Sequence, residues 1–83
     1  MRYCFITFRS VTPAQRGENV LRREGILCTV QRTPKMLADQ GCGYSLRVKH
    51  HQLGRATELL RQRGIAYRKT YCMQNGIPEE VLL

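Results

Sequence analysis

Eighty-three residues make one small domain with room for a single modest core. At 42% hydrophobic and 24% charged the chain is globular rather than disordered, and its apolar runs stop far short of the roughly 20 residues that cross a bilayer. Fourteen basic side chains against six acidic ones leave a net charge of +8, which favours anionic partners such as RNA, tRNA or an acidic protein. The excess is mostly arginine and contains no run of five basic residues, so a solvated surface accounts for it equally well.

Arg2 to Phe8 alternates and is rich in aromatics, which predicts a first strand. Its apolar patch ends at Arg9, too early for the core of a signal peptide, and no small-residue cleavage site follows; a cytoplasmic protein is expected. Thr12-Pro13-Ala14-Gln15 reads as a capping box, with Thr12 as N-cap, Pro13 in the first helical position and Gln15 reaching back. A helix then runs to the arginines before Gly25. Leu27 to Arg32 is a short strand, and Thr33 to Gln40 is a long connection with one helical turn. Gly41-Cys42-Gly43 opens the next strand, Tyr44 to Lys49, where Tyr44, Leu46 and Val48 alternate with Ser45, Arg47 and Lys49. A second helix starts near His50-His51-Gln52, weakened by Gly54 in its first turn. Ala66 to Cys72 is the last strand, and residues 73–83 form a C-terminal tail in which Pro78-Glu79-Glu80 opens a short helix.

The two helical segments repeat one another. Ala14, Gly17, Val20 and Leu21 align with Leu53, Ala56, Leu59 and Leu60, one face of an amphipathic helix in each case. Each ends in arginines, then glycine, then isoleucine, the signature of a helix C-terminus. The order β-α-β-β-α-β in two matching halves predicts a ferredoxin-like split β-α-β sandwich over residues 1–72: a four-stranded antiparallel sheet with both helices on one face. Tyr3 and Phe5 would then leave an apolar patch on the open face, covered by a second copy or by the tail residues Ile77, Val81, Leu82 and Leu83; a homodimer is the preferred expectation.

The four cysteines contain no C-x-x-C pair and, in a reducing compartment, are expected to be thiols. Cys42 stands out because glycines on both sides leave it accessible. The right-handed crossover puts it near the start of the first helix, where the helix dipole, Arg9 and Arg16 favour the thiolate. Cys4 and Cys72 fall on neighbouring strands at the opposite end of the sheet, with His50 and His51 nearby. Two packed, reduced thiols are the preferred reading there, ahead of a cross-strand disulfide and of a metal site, since no ligand pair has metal-motif spacing. The same placement keeps either histidine from serving Cys42 as a base. Cys28 reads as plain core.

Several of these pieces are similar to one known family. Tyr3-Cys4-Phe5-Ile6-Thr7-Phe8, then Ser10 and Thr12 before an amphipathic helix, the Thr33-Pro34 step, Cys42-Gly43-Tyr44-Ser45-Leu46-Arg47-Val48, a leucine-rich second helix and Gly64-Ile65-Ala66-Tyr67 together resemble the small bacterial family of selenium/sulfur carrier protein-like domains. The most specific part is Thr-Pro followed eight residues later by Cys-Gly. The resemblance implies that Cys42 carries sulfur or selenium as a persulfide-type adduct, with Gly41 and Gly43 giving access. No base–orienter pair for a complete enzyme accompanies Cys42, so a carrier rather than a stand-alone enzyme is expected, with no resident cofactor or metal. Its partners would be a cysteine desulfurase-type donor and an acceptor protein. Arg9, Ser10, Thr12 and Arg16 would stabilise the anion and Arg47 would dock an acidic partner. The serines that family members often carry before the cysteine are replaced here by Leu37-Ala38-Asp39-Gln40-Gly41. Two other readings of the same residues are an RNA-binding module, with Tyr3, Phe5, Ser45, Arg47 and Lys49 on an open sheet face, and a structural or regulatory oligomer without chemistry.

Overall fold

The computed structural model describes residues 2–33 and 43–81 of the chain. Strand β1 (Tyr3–Phe8) leads into helix α1 (Val11–Arg23), then β2 (Cys28–Arg32) and β3 (Tyr44–Lys49). A 3-10 turn (His50–Gln52) runs into helix α2 (Leu53–Gln62), followed by the hairpin of β4 (Thr70–Gln74) and β5 (Ile77–Glu80). The fold is α+β with an antiparallel sheet in the order β2-β3-β1-β4-β5. Both β1 and β2 pair antiparallel with β3, so they run parallel to each other across it, as the split β-α-β expectation requires.

The sheet has five strands, not the four expected. Residues 73–80 belong to it rather than to a separate tail, and Pro78-Glu79-Glu80 is strand instead of helix. The reason lies in Asn75-Gly76, whose backbone φ values are 54° and 78°. With Gln74 opposite Ile77, these two residues form a two-residue turn with both central φ positive, the geometry that matches strand twist and that Asn-Gly adopts most readily.

Period-two alternation sorts the strands onto two faces. Cys4, Ile6, Phe8, Cys28, Leu46, Val48 and Cys72 join Ala14, Leu21, Leu53, Ala56 and Leu60 of the helices in one buried cluster. Gly17 sits where the layers meet most closely. A Cβ there would lie 3.1 Å from Leu46 Cδ1 and from Leu60 Cδ2, and 3.4 Å from Phe8 Cζ.

The repeated helix endings are two copies of one motif. Gly25 N–H donates to Arg22 O and Ile26 N–H to Leu21 O; Gly64 N–H donates to Arg61 O and Ile65 N–H to Leu60 O. Both glycines have positive φ. These are Schellman caps, and each isoleucine is buried along with the leucine its amide bonds to. The first helix begins differently from expectation. Ser10, not Thr12, is its N-cap, and makes no side-chain capping bond. Pro13 falls in the third helical position, where its missing N–H is still one the helix cannot use.

Edge strand β2 is guarded by α1. Val30 N–H donates to Glu18 Oε2 at 3.3 Å, and Arg22 donates to Cys28 O at 2.8 Å. Two of the backbone groups facing away from β3 are thus occupied by side chains.

Candidate functional site

Three places in the described structure gather chemistry: one at each end of the sheet and one on its open face. At the first end β1 passes into α1 and β2 meets β3. Thr33 N–H donates to Gly43 O at 2.9 Å, and a Cβ on Gly43 would lie 3.3 Å from Phe8 O and 3.4 Å from Thr33 Oγ1. Gly43 is therefore closely approached by backbone, a second reason for glycine there beyond access to the cysteine before it. Ser10 and Thr12 are exposed at the start of α1, as are Arg9 before it and Arg16 one turn along. No acidic residue occupies the first turn. Cys42 and Gly41 lie outside the described residues, as does the helical turn expected in the connection.

Two features at this end were missed by sequence reasoning. The Thr33 hydroxyl is buried with no hydrogen-bond partner among the described residues, and it stands beside Gly43. The Ser10 side chain makes no capping bond to the first backbone amides of α1. The Thr33-Pro34 step is visible in the sequence, but only the β2–β3 pairing brings Thr33 next to Gly43.

Arg47 does not join this cluster. It lies opposite Phe5, three residues along β3 from Tyr44 and so about 10 Å from the strand's start. Its guanidinium lies 4.7 Å from the Tyr3 ring centroid on the open face, a cation–π contact. Phe5 has Arg47 and Tyr71 as register partners. The expected apolar patch is largely absent: Phe5 is buried at 7% exposure beneath these long neighbours, and β5 extends the sheet edge instead of crossing its face. Shallow grooves flank the Tyr3–Arg47 pair, one reaching Met73 and Gly76, the other Leu27 and Lys49.

At the far end Cys4 and Cys72 are directly opposed in the β1–β4 register, with Cα atoms 4.0 Å apart, and are joined as a disulfide. This corrects the expectation of two packed, reduced thiols; the register sets the two side chains on the same face, directly across from each other, within bonding reach. His50 stands beside them, held by its backbone amide donating to Arg2 O at 3.0 Å. Cys28, two strands from Cys4, is buried, and its thiol is pushed up to about 11 by burial, then by the Glu18 carboxylate, with Arg22 opposing. It is core, as expected.

Among the described residues no helix is long and apolar enough to cross a membrane. A family model described as "Putative Se/S carrier protein-like" matches residues 3–72. Neither a curated protein nor a solved structure matches the chain.

Proposed function

Because the chain belongs to the Se/S carrier protein-like family, we propose that it carries sulfur or selenium on Cys42 as a persulfide-type adduct and passes it between partner proteins. The observation that carries this reading is the family match across the Cys42-Gly43 strand entry. The surroundings of Gly43 support it. The next residue in the chain from Cys42 packs against Phe8 O and Thr33, at the end of the sheet where α1 begins with no capping bond from the Ser10 side chain. First-turn backbone amides that Ser10 does not cap, with exposed Arg9 and Arg16, favour an anion there. The buried Thr33 hydroxyl is a further donor for a thiolate or persulfide.

The transfer balances without a resident cofactor. Thiolate at Cys42 attacks the terminal sulfur of a donor persulfide, the donor's S–S bond breaks, and the donor leaves as its own thiolate. The same exchange in reverse delivers the sulfur. Such chemistry belongs in a reducing compartment, the cytoplasm, where Cys42 starts as a thiol. On this reading the ferredoxin-like α+β frame serves to hold Gly43, the residue after Cys42, at the end of the sheet where α1 begins.

Intact-mass measurement after incubation with a cysteine desulfurase and cysteine tests the reading. One additional sulfur on the wild-type chain is expected, absent in Cys42→Ser and reduced in Thr33→Val. Sulfur spread over all the free cysteines, or no addition, overturns it.

One observation favours a second reading. Tyr3 stacked under Arg47, with Tyr71 and Lys49 on the same face, is a basic and aromatic surface of the kind that binds single-stranded RNA. Binding of this kind would be salt-sensitive and indifferent to Cys42→Ser.

A further inference from the structure

We propose that Cys4, Cys72 and His50 form a binding site for a thiophilic divalent cation of the zinc type, open when the Cys4–Cys72 disulfide is reduced. One ligand atom from each of the three residues lies within 4.8 Å of the others. Tetrahedral coordination with metal–sulfur bonds near 2.3 Å sets ligand atoms about 3.8 Å apart. The two sulfurs therefore need only separate from bonded contact, while the imidazole already stands at ligand range.

Each ligand comes from a different element, and each is fixed. Cys4 lies near the start of β1, Cys72 is the third residue of β4 and its register partner, and His50 opens the turn after β3. The His50 backbone is tied to Arg2, two residues before Cys4. No spacing motif announces this set, because the two cysteines are 68 residues apart and only the sheet register unites them.

Charge and burial also suit a divalent cation. Cys4 is wholly buried and Cys72 is 4% exposed, so two bare thiolates there would be costly. Two thiolates, one neutral imidazole and one dication sum to zero, which removes that cost. His50 is exposed, so it gives the ion a route in from solvent. Three protein ligands leave a fourth position for water or an exogenous thiol.

The redox step balances with a dithiol reductant. It supplies two electrons and two protons, closes to its own disulfide, and leaves Cys4 and Cys72 as thiols. The incoming cation then displaces the two thiol protons. Cys28 takes no part, being separated from Cys4 by the whole of β3, about 10 Å. The site is independent of Cys42 and of the carrier role.

Reduced, metal-free protein titrated with Cd2+ reads the site through its thiolate-to-metal charge-transfer absorption, and Zn2+ competition against a chromophoric chelator gives affinity. Uptake of about one ion per chain is expected in the reduced form and none in the disulfide form. His50→Gln should weaken binding by at least about tenfold, and the double variant Cys4→Ala/Cys72→Ala should abolish it. Cys28→Ala and Cys42→Ser should bind as the wild type does. Equal uptake by reduced and oxidised wild type, no charge-transfer band in the reduced form, loss in Cys42→Ser, or an unchanged affinity in His50→Gln would each overturn the proposal. The oxidised and reduced comparison uses the unaltered chain, so its outcome does not depend on a core variant folding.

Discussion

Cys28 shows why the cysteines of this chain are not interchangeable. Its Sγ faces Glu18 O at 3.9 Å within the core, and burial, more than the nearby Glu18 carboxylate, pushes its thiol up to about 11. At neutral pH it is a thiol and a poor nucleophile, so alkylation of the native protein should leave Cys28 unmodified until denaturant is added, as peptide mass mapping would show. The shift also sets a pH dependence. An unfolded cysteine releases its proton near 9, before the native one does, so the native state binds more protons between about 9 and about 11 and stability falls as pH rises through that window. Urea midpoints compared across it should drop more steeply for the wild type than for Cys28→Ala; parallel curves would remove Cys28 as the cause. Sequence alone marks Cys28 as core, because a short strand after a capped helix leaves few other places for it. It sets Cys4 and Cys72 on neighbouring strands but does not choose the bond over packed thiols, since a cross-strand bond depends on register, and register depends on every side chain along the two strands.

Among the elements, the helices are the most legible because their signals are local. The matched apolar positions Ala14, Gly17 and Leu21 and Leu53, Ala56 and Leu60 are buried as the repeat implies, and both glycine endings are Schellman caps. The β4–β5 hairpin is just as local, yet Asn75-Gly76 is outweighed in the sequence by Pro78-Glu79-Glu80, which reads equally well as a helix start. Proline is tolerated there because β5 is the outermost strand, where a missing N–H on the free side costs no ladder bond. The two helical glycines illustrate how packing decides what a sequence cannot. Gly17 is hemmed in by Leu46, Leu60 and Phe8, whereas a Cβ at Gly54 meets nothing within 4 Å. Gly17→Val should therefore cost about 1–3 kcal/mol through overpacking. Gly54→Ala should gain about 0.5–1 kcal/mol from helix propensity. Denaturant midpoints of the two variants should move in opposite directions.

For the molecule as a whole, the question is which surface meets another macromolecule. Both sheet edges discourage strand addition: Glu18 and Arg22 occupy two outer groups of β2, Val30 N–H and Cys28 O, and β5 carries Pro78 with exposed Glu79 and Glu80. The open face is a broad surface beside these edges, with the Tyr3–Arg47 pair between two grooves. A second copy of the chain and a single-stranded RNA would both use it, but salt separates them. Each copy carries a net charge of +8, so pairing two copies through Arg47 opposes like charges and should strengthen as salt screens them. RNA binding releases counterions and should weaken as salt rises. Light scattering at low and high salt, beside anisotropy of a labelled single-stranded RNA, reads both. A homodimer that grows with salt and is lost in Arg47→Glu/Tyr3→Glu is the expected result if the face serves self-association. If RNA is its occupant, Arg47→Ala should lower the salt slope by about one, the count of one lost phosphate contact. Exposed Arg55 and Arg61 on the helical layer supply the control, because binding that falls equally in Arg55→Ala/Arg61→Ala would come from net charge and not from the open face.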